Sequence, residues 1–135
     1  MSARIWLSWA VLPVLLLGGC GRSSGELPAV QGRVWYHGRP LAGGTIVFTP
    51  DPEHGGTGPL AVGEIDAEGH YTLQTDGRPG AVAGWHRVTV APAAPNDGAA
   101  ASSCDLPARY RDPDRSGLAC EVKGDRENII NFDLD

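Results

Sequence analysis

Four histidines are the first candidates for chemistry, because imidazole is a common zinc ligand and a common general base in enzymes. They are His37, His54, His70 and His86. No two of them lie closer than 16 residues, and none is joined by a cysteine or an acidic residue at a spacing typical of zinc sites. This spacing favours imidazoles on exposed turns, so we predict that the chain uses no metal and no other cofactor.

An acidic segment, Asp112 to Gly117, resembles the first half of a calcium-binding loop. The twelfth position of such a loop supplies a bidentate carboxylate, and here that position is Lys123. A turn is therefore the favoured interpretation. A looser calcium contact from Asp112, Asp114 and Glu121 is the alternative.

Three serines are the candidates for a nucleophile. Ser102, Ser103 and Ser116 fall in predicted loops, without a glycine elbow and without a histidine beside them. Nucleophilic catalysis needs a base within hydrogen-bond reach and an oxyanion site. We predict that the protein is not an enzyme.

Composition indicates what kind of scaffold holds these residues. The 135 residues include 19 glycines and 11 prolines, which is incompatible with a helical bundle. Hydrophobic residues reach 41%, enough to bury a core. The net charge of −5 leaves no basic surface for phosphate backbones, so we predict no nucleic-acid partner.

The first twenty residues have the zones of an export signal. Arg4 precedes an apolar stretch of 13 residues from Ile5 to Leu17, and Gly18 and Gly19 follow it. A membrane-spanning helix needs about 20 apolar residues, so this stretch is too short to be one. We predict a signal peptide over residues 1–19.

The signal ends on Leu17-Gly18-Gly19-Cys20, which resembles the lipobox of bacterial lipoproteins. That resemblance implies diacylglycerol and a fatty acyl chain such as palmitate on Cys20, with a flexible tether over residues 20–28. The implied location is the periplasmic or extracellular face of the cell envelope. Gly21, where an Asp would resemble an inner-membrane retention signal, favours the outer membrane. The alternative is an ordinary secretory signal with an incidental cysteine.

Cys104 and Cys120 are the two cysteines that remain if Cys20 carries lipid. Because disulfides form in exported proteins, their even number favours a Cys104–Cys120 bridge. Closing that loop stabilises a fold by roughly 3 kcal/mol in the chain-entropy model. Two free thiols are the alternative, and no Cys-x-x-Cys spacing suggests redox chemistry.

From residue 29 onward, short runs of β-branched and aromatic residues alternate with polar residues and are separated by turns, a pattern typical of half-buried strands. Seven such runs predict an all-β fold, a seven-stranded antiparallel β-sandwich. The runs are Val30 to Tyr36, Ala42 to Phe48, Leu60 to Ile65, the region of Tyr71 and Leu73, Trp85 to Val90, Leu118 to Lys123 and Asn128 to Leu134.

Four motifs follow one another over residues 29–91: Val30-Gln31-Gly32-Arg33-Val34, Gly38-Arg39-Pro40-Leu41-Ala42-Gly43-Gly44, Asp66-Ala67-Glu68-Gly69-His70-Tyr71-Thr72-Leu73 and Gly84-Trp85-His86-Arg87-Val88-Thr89-Val90. Their order resembles the carboxypeptidase regulatory-like domain. The resemblance implies a prealbumin-like (transthyretin-like), Ig-like β-sandwich over residues 29–135. Domains of that family are accessory modules, so it implies no catalytic residues.

Two functions follow as expectations. The first is a non-catalytic structural or protein-interaction module of the envelope. The second is a carbohydrate- or peptide-binding module that uses Trp35 and Trp85, both predicted to point outward. It requires the two indoles to be exposed on one face. The partner is then an envelope protein or a glycan, beside the membrane itself through the lipid on Cys20.

Overall fold

The computed structural model describes residues 27–94 and 106–135, and this part of the chain is mostly β with two sheets. The prediction of an all-β, sandwich-like fold is therefore confirmed. Two short 3₁₀ helices, Pro52–His54 and Ala108–Arg111, join the strands. No helix within the described ranges is long and apolar enough to span a membrane. The strands are β1 (Val30–Tyr36), β2 (Arg39–Pro40), β3 (Thr45–Pro50), β4 (Ala61–Glu64), β5 (His70–Thr72), β6 (Gln74–Thr75), β7 (Arg78–Pro79), β8 (Gly84–Ala91), β9 (Leu118–Val122), β10 (Asn128–Ile129) and β11 (Phe132–Leu134).

The first sheet is built around β1. The first half of β1 lies between β5 and β10, and its second half lies between β2 and β11. The second sheet has the order β7-β6-β4-β3-β8-β9, and all its pairs are antiparallel. The polypeptide leaves the second sheet after β4, contributes β5 to the first sheet, and returns to the second as β6.

The predicted count of seven antiparallel strands is not confirmed. The described residues form eleven strands, because two predicted turns fold back as β2 and β7 and the fourth and seventh predicted runs are each divided in two. The seventh run is interrupted where the Asn131 side-chain oxygen, at 2.9 Å, accepts the Arg33 backbone N–H. In addition, β1 pairs in parallel with β10 and β11, because the chain reaches them by crossing over from β9 in the other sheet.

The core lies between the sheets and follows the alternation of the strands. Ile46 and Phe48 on β3 and Val88 and Val90 on β8 are fully buried from the second sheet. The ring of Phe48 lies 6.2 Å from that of Tyr71 on β5 and 6.0 Å, edge-on, from that of Phe132 on β11. These centroid distances are typical of aromatic pairs, so the two sheets pack face to face.

Gly32 allows one close approach inside this core. The Tyr71 hydroxyl donates a hydrogen bond to the carbonyl of Ile130. A Cβ on Gly32 would lie 1.7 Å from that carbonyl oxygen and 2.9 Å from the Tyr71 hydroxyl oxygen. β1 therefore needs a residue without a side chain at this position.

Candidate functional site

A groove of about 650 Å³ lies where β4, β5 and β6 separate into two sheets. We call it the β4–β6 groove. Its outward apolar side chains are Leu60 and Val62, which are 48% and 38% exposed. The polar side chains that line it include Glu64, Asp66, His70 and Asp76. This groove could not be predicted from the sequence, because it depends on how the strands pair.

Strand pairing explains why the groove exists. β4 pairs along its whole length with β3, but β6 pairs with β4 only at Val62 and Gln74. β5, which follows β4 in the chain, pairs with β1 in the other sheet. A groove is therefore left beside β4, between β6 of the second sheet and β5 of the first.

The electrostatics of the groove are acidic. Glu64, Asp66 and Asp76 line it, and among the described residues no Lys or Arg does. The Asp66 carboxylate accepts backbone N–H groups of His70 and Glu68, each at 2.9 Å. The hydrogen bond from the His70 N–H, together with that from Glu68, lowers the pKa of Asp66, so this carboxylate is ionised at neutral pH.

The turn between β4 and β5 carries three exposed side chains that could hold a cation: Asp66, Glu68 and His70. Their ligand atoms lie within 4.8 Å of one another. One oxygen of Asp66 already accepts the two backbone hydrogen bonds that form the turn. The arrangement therefore has a sufficient explanation in the turn itself, and we assign no ion to it. The sequence prediction considered His70 alone and did not find this group.

Trp35 and Trp85 are not brought together. Trp35 follows the buried Val34 on β1, and Trp85 precedes the buried His86 on β8. Because neighbouring side chains of a strand point to opposite faces, each indole lies on the outward face of its own sheet. The two sheets pack through their inward faces, so the indoles are on opposite sides of the sandwich. They cannot form the shared platform that the carbohydrate-binding alternative requires.

Each indole has its own neighbour. The Arg33 guanidinium lies over the Trp35 ring, 4.4 Å from its centroid, beside a groove of about 530 Å³ that also contacts the exposed Ile129. The imidazole of His54 lies 5.3 Å from the Trp85 ring. One face of each ring is therefore already occupied by a side chain of the same protein.

The loop after β3 is anchored by Asp51. This residue is 5% exposed. Its carboxylate lies 2.8 Å from the Nδ1 of His54 and 3.0 Å from the Glu53 N–H that it accepts, and Arg87 lies within 3.2 Å. The hydrogen bond to His54 is the main reason that the pKa of Asp51 is lowered. The loop is thereby fixed to β8.

The predicted calcium ligands do not converge. The Asp112 carboxylate accepts the Asp114 N–H at 2.9 Å, as in an Asx turn. Asp114 itself pairs with Arg87, and Glu121 pairs with Lys123 at 2.9 Å. The segment is a turn, as the favoured interpretation had it, and its carboxylates are engaged elsewhere.

Of the candidate nucleophiles, only Ser116 lies in the described residues. It is buried, and its hydroxyl donates to the Val88 carbonyl at 2.6 Å and accepts the Leu118 N–H at 3.2 Å. No histidine is among these partners. Ser116 therefore has a structural role, since it ties the segment before β9 to β8.

Cys120 is the described cysteine, whereas Cys20 and Cys104 lie outside the described residues. Cys120 packs against the core and stands opposite His86 in the β8–β9 pairing. Burial raises the pKa of its thiol to about 12, so it is a poor nucleophile at neutral pH. Lipidation at Cys20 and the Cys104–Cys120 bridge stay predictions.

His86 departs from the expectation of exposed imidazoles, since it is 1% exposed. Its Nε2 lies 2.8 Å from the Val82 carbonyl oxygen, which can only accept, so Nε2 carries the proton. Its Nδ1 has no hydrogen-bond partner within the described residues. The ring packs 5.8 Å from that of Phe48 and is part of the core.

Comparison of the chain with protein-family models, curated proteins and solved structures gives no match. The resemblance to the carboxypeptidase regulatory-like domain therefore stays a prediction.

Proposed function

We propose that this chain is an exported, lipid-anchored, non-catalytic module of the cell envelope that binds a protein partner through the β4–β6 groove. The lipobox-like end of the signal at Cys20 supports the anchor. The two-sheet β architecture is compatible with the carboxypeptidase regulatory-like domain that the motifs resemble. Ser116, the candidate nucleophile among the described residues, is buried and has no histidine among its hydrogen-bond partners, which supports a binding function over an enzymatic one.

The observation that carries the proposal is the orientation of β4. Its small residues, Ala61 and Gly63, point into the core, and its larger apolar residue Val62 points outward together with Leu60. Burial of apolar surface is the main favourable term of folding, so a strand ordinarily turns its larger apolar residues inward. Here two of them line an open groove instead. Such surfaces are typical of sites that another molecule covers.

At Gly63 the inward side of β4 has no room for a larger residue. A Cβ on Gly63 would lie 2.9 Å from the Thr72 carbonyl oxygen and 3.2 Å from the Leu73 side chain. Packing therefore explains why β4 turns small residues inward. It does not explain why the outward positions are apolar, and a binding partner does.

Site-specific crosslinking in intact cells tests the proposal. A photoreactive amino acid at position 62 should give a discrete adduct with one envelope protein. The same amino acid at position 129 is the matched control, because Ile129 is an exposed apolar residue, 68% exposed, on the outward face of the other sheet. No adduct at position 62, or the same adducts at both positions, would contradict the proposal.

A further inference from the structure

We infer, on the basis of the proposed function, that the β4–β6 groove binds an extended, basic segment of its partner. In this segment every second residue faces the groove, and two apolar residues are followed by Lys or Arg. The groove's charge and the spacing of its outward side chains carry this inference.

The acidic charge of the groove indicates that the partner segment is basic. Glu64, Asp66 and Asp76 line the groove, and no Lys or Arg within residues 27–94 and 106–135 does. Two arginines lie close by: Arg33, whose Nε donates to the Glu68 carbonyl at 2.8 Å, and Arg78 on the neighbouring β7. Neither lines the groove. An acidic or phosphorylated segment would therefore meet like charges, whereas a basic one would meet carboxylates.

The spacing of the outward side chains on β4 indicates that the partner segment is extended. Leu60, Val62 and Glu64 are exposed at every second position, with buried residues between them. Two residues of a strand advance by about 6.8 Å, so these side chains form a row of about 14 Å with two apolar members and one acidic member. An extended segment laid along this row has the same period. Its complementary pattern is two apolar residues and then a basic one, each separated by one residue.

The apolar part of the groove distinguishes this partner from a small cation. A metal ion or a polyamine would be held by carboxylates and would gain nothing from Leu60 and Val62. A peptide gains from the carboxylates and from the apolar residues, because burial of apolar surface adds to the charge pairing. Salt screens only the charge pairing. Binding by a peptide should therefore depend on the apolar residues as well as on the charges.

The test measures binding of a labelled probe peptide, Leu-Ser-Val-Ser-Lys-Ser-Lys with blocked ends, to the full-length protein in a non-ionic detergent. We expect saturable binding that weakens as salt is raised. The double variant Glu64→Gln and Asp76→Asn should weaken it about five- to tenfold, as should Val62→Ser. The matched control, Asp125→Asn with Asp133→Asn, removes two exposed carboxylates elsewhere and should leave it unchanged.

Two further peptides make the test specific. One replaces both Lys residues with Glu, and the other replaces Leu and Val with Ser. Both should bind at least tenfold more weakly than the probe. Equal binding of the Glu peptide, equal loss in the control variant, or full displacement by millimolar calcium or spermidine would overturn the inference.

Failure of the inference and failure of the proposed function are separable. If the position-62 adduct in cells persists undiminished in the Glu64→Gln, Asp76→Asn background, the groove binds a protein but not through basic charge, and only the inference fails. If no adduct forms in either background, the proposed function fails as well.

Discussion

Substitution of Gly32 by Ala should be among the most destabilising single-methyl changes in this protein. The added Cβ would lie 1.7 Å from the Ile130 carbonyl oxygen and 2.6 Å from its carbon. Ordinary carbon–oxygen contacts are about 3.3 Å or longer. β1 and the segment that joins β10 to β11 would therefore have to move apart by roughly 1.6 Å.

The structure sets the size of the effect. Overpacking of a core costs about 1–3 kcal/mol. Separation of the strands also weakens the hydrogen bond from the Ile130 N–H to the Gln31 carbonyl, now 2.9 Å, which is worth about 1 kcal/mol. We expect the free energy of unfolding to fall by about 3 kcal/mol, a large part of the 5–15 kcal/mol typical of a domain.

Urea unfolding followed by tryptophan fluorescence measures this loss. Gly77→Ala is the matched control, because Gly77 has a φ of +77° but nothing within 4 Å of its Cβ position. It should cost only about 1 kcal/mol, for backbone strain. Tyr71→Phe should not rescue Gly32→Ala, because the nearest clash is with backbone. The predicted clash is refuted if Gly32→Ala lowers the free energy of unfolding no more than Gly77→Ala does. It is also refuted if Tyr71→Phe restores the stability of Gly32→Ala, because the clash would then not be with the Ile130 carbonyl.

Three other predictions concern ionisation and the cysteines. Because the pKa of Asp51 is lowered below 3.8 by its hydrogen bond to His54, its contribution to stability is present above about pH 4 and is lost as the pH falls through the folded-state pKa. In Asp51→Asn the free energy of unfolding should therefore fall less steeply as the pH is lowered below about 4. A fall as steep as that of the parent protein would contradict this. Intact-mass analysis of unreduced, urea-unfolded protein should find no alkylation at Cys104 or Cys120, and two adducts after reduction; two adducts without reduction would exclude the bridge. Cys20→Ala should move the protein from the membrane to the soluble fraction, and a variant as membrane-bound as the parent would show that the anchor is elsewhere.

Strands with strong alternation could be predicted from the sequence. β1 and β8 lie where the runs Val30 to Tyr36 and Trp85 to Val90 predicted them, because each alternates apolar and polar residues through its length. The same alternation predicted that Trp85 points outward on β8, where it is 39% exposed. Such runs carry enough periodic signal to fix both the strand and its buried face.

The partners of those strands could not be predicted in the same way. The parallel pairing of β1 with β10 and β11 joins residues about a hundred positions apart, and no local pattern specifies it. The same limit applied to Trp35 and Trp85. Alternation correctly pointed both outward, but only the sheet assignment decides whether two outward faces are the same face.

The candidate groove was missed for a related reason. The run Leu60 to Ile65 is apolar at four of its six positions, so its period does not say which side is buried. The neighbours decide it, because Ile46 and Leu73 fill the space beneath β4 at Gly63. Once that side is fixed, strand formation does not require apolar residues outside, since Thr shares the β-branched form and the strand preference of Val. The fold alone therefore does not explain why positions 60 and 62 are apolar, and the proposed contact with a partner would account for Leu60 and Val62 in an acidic groove.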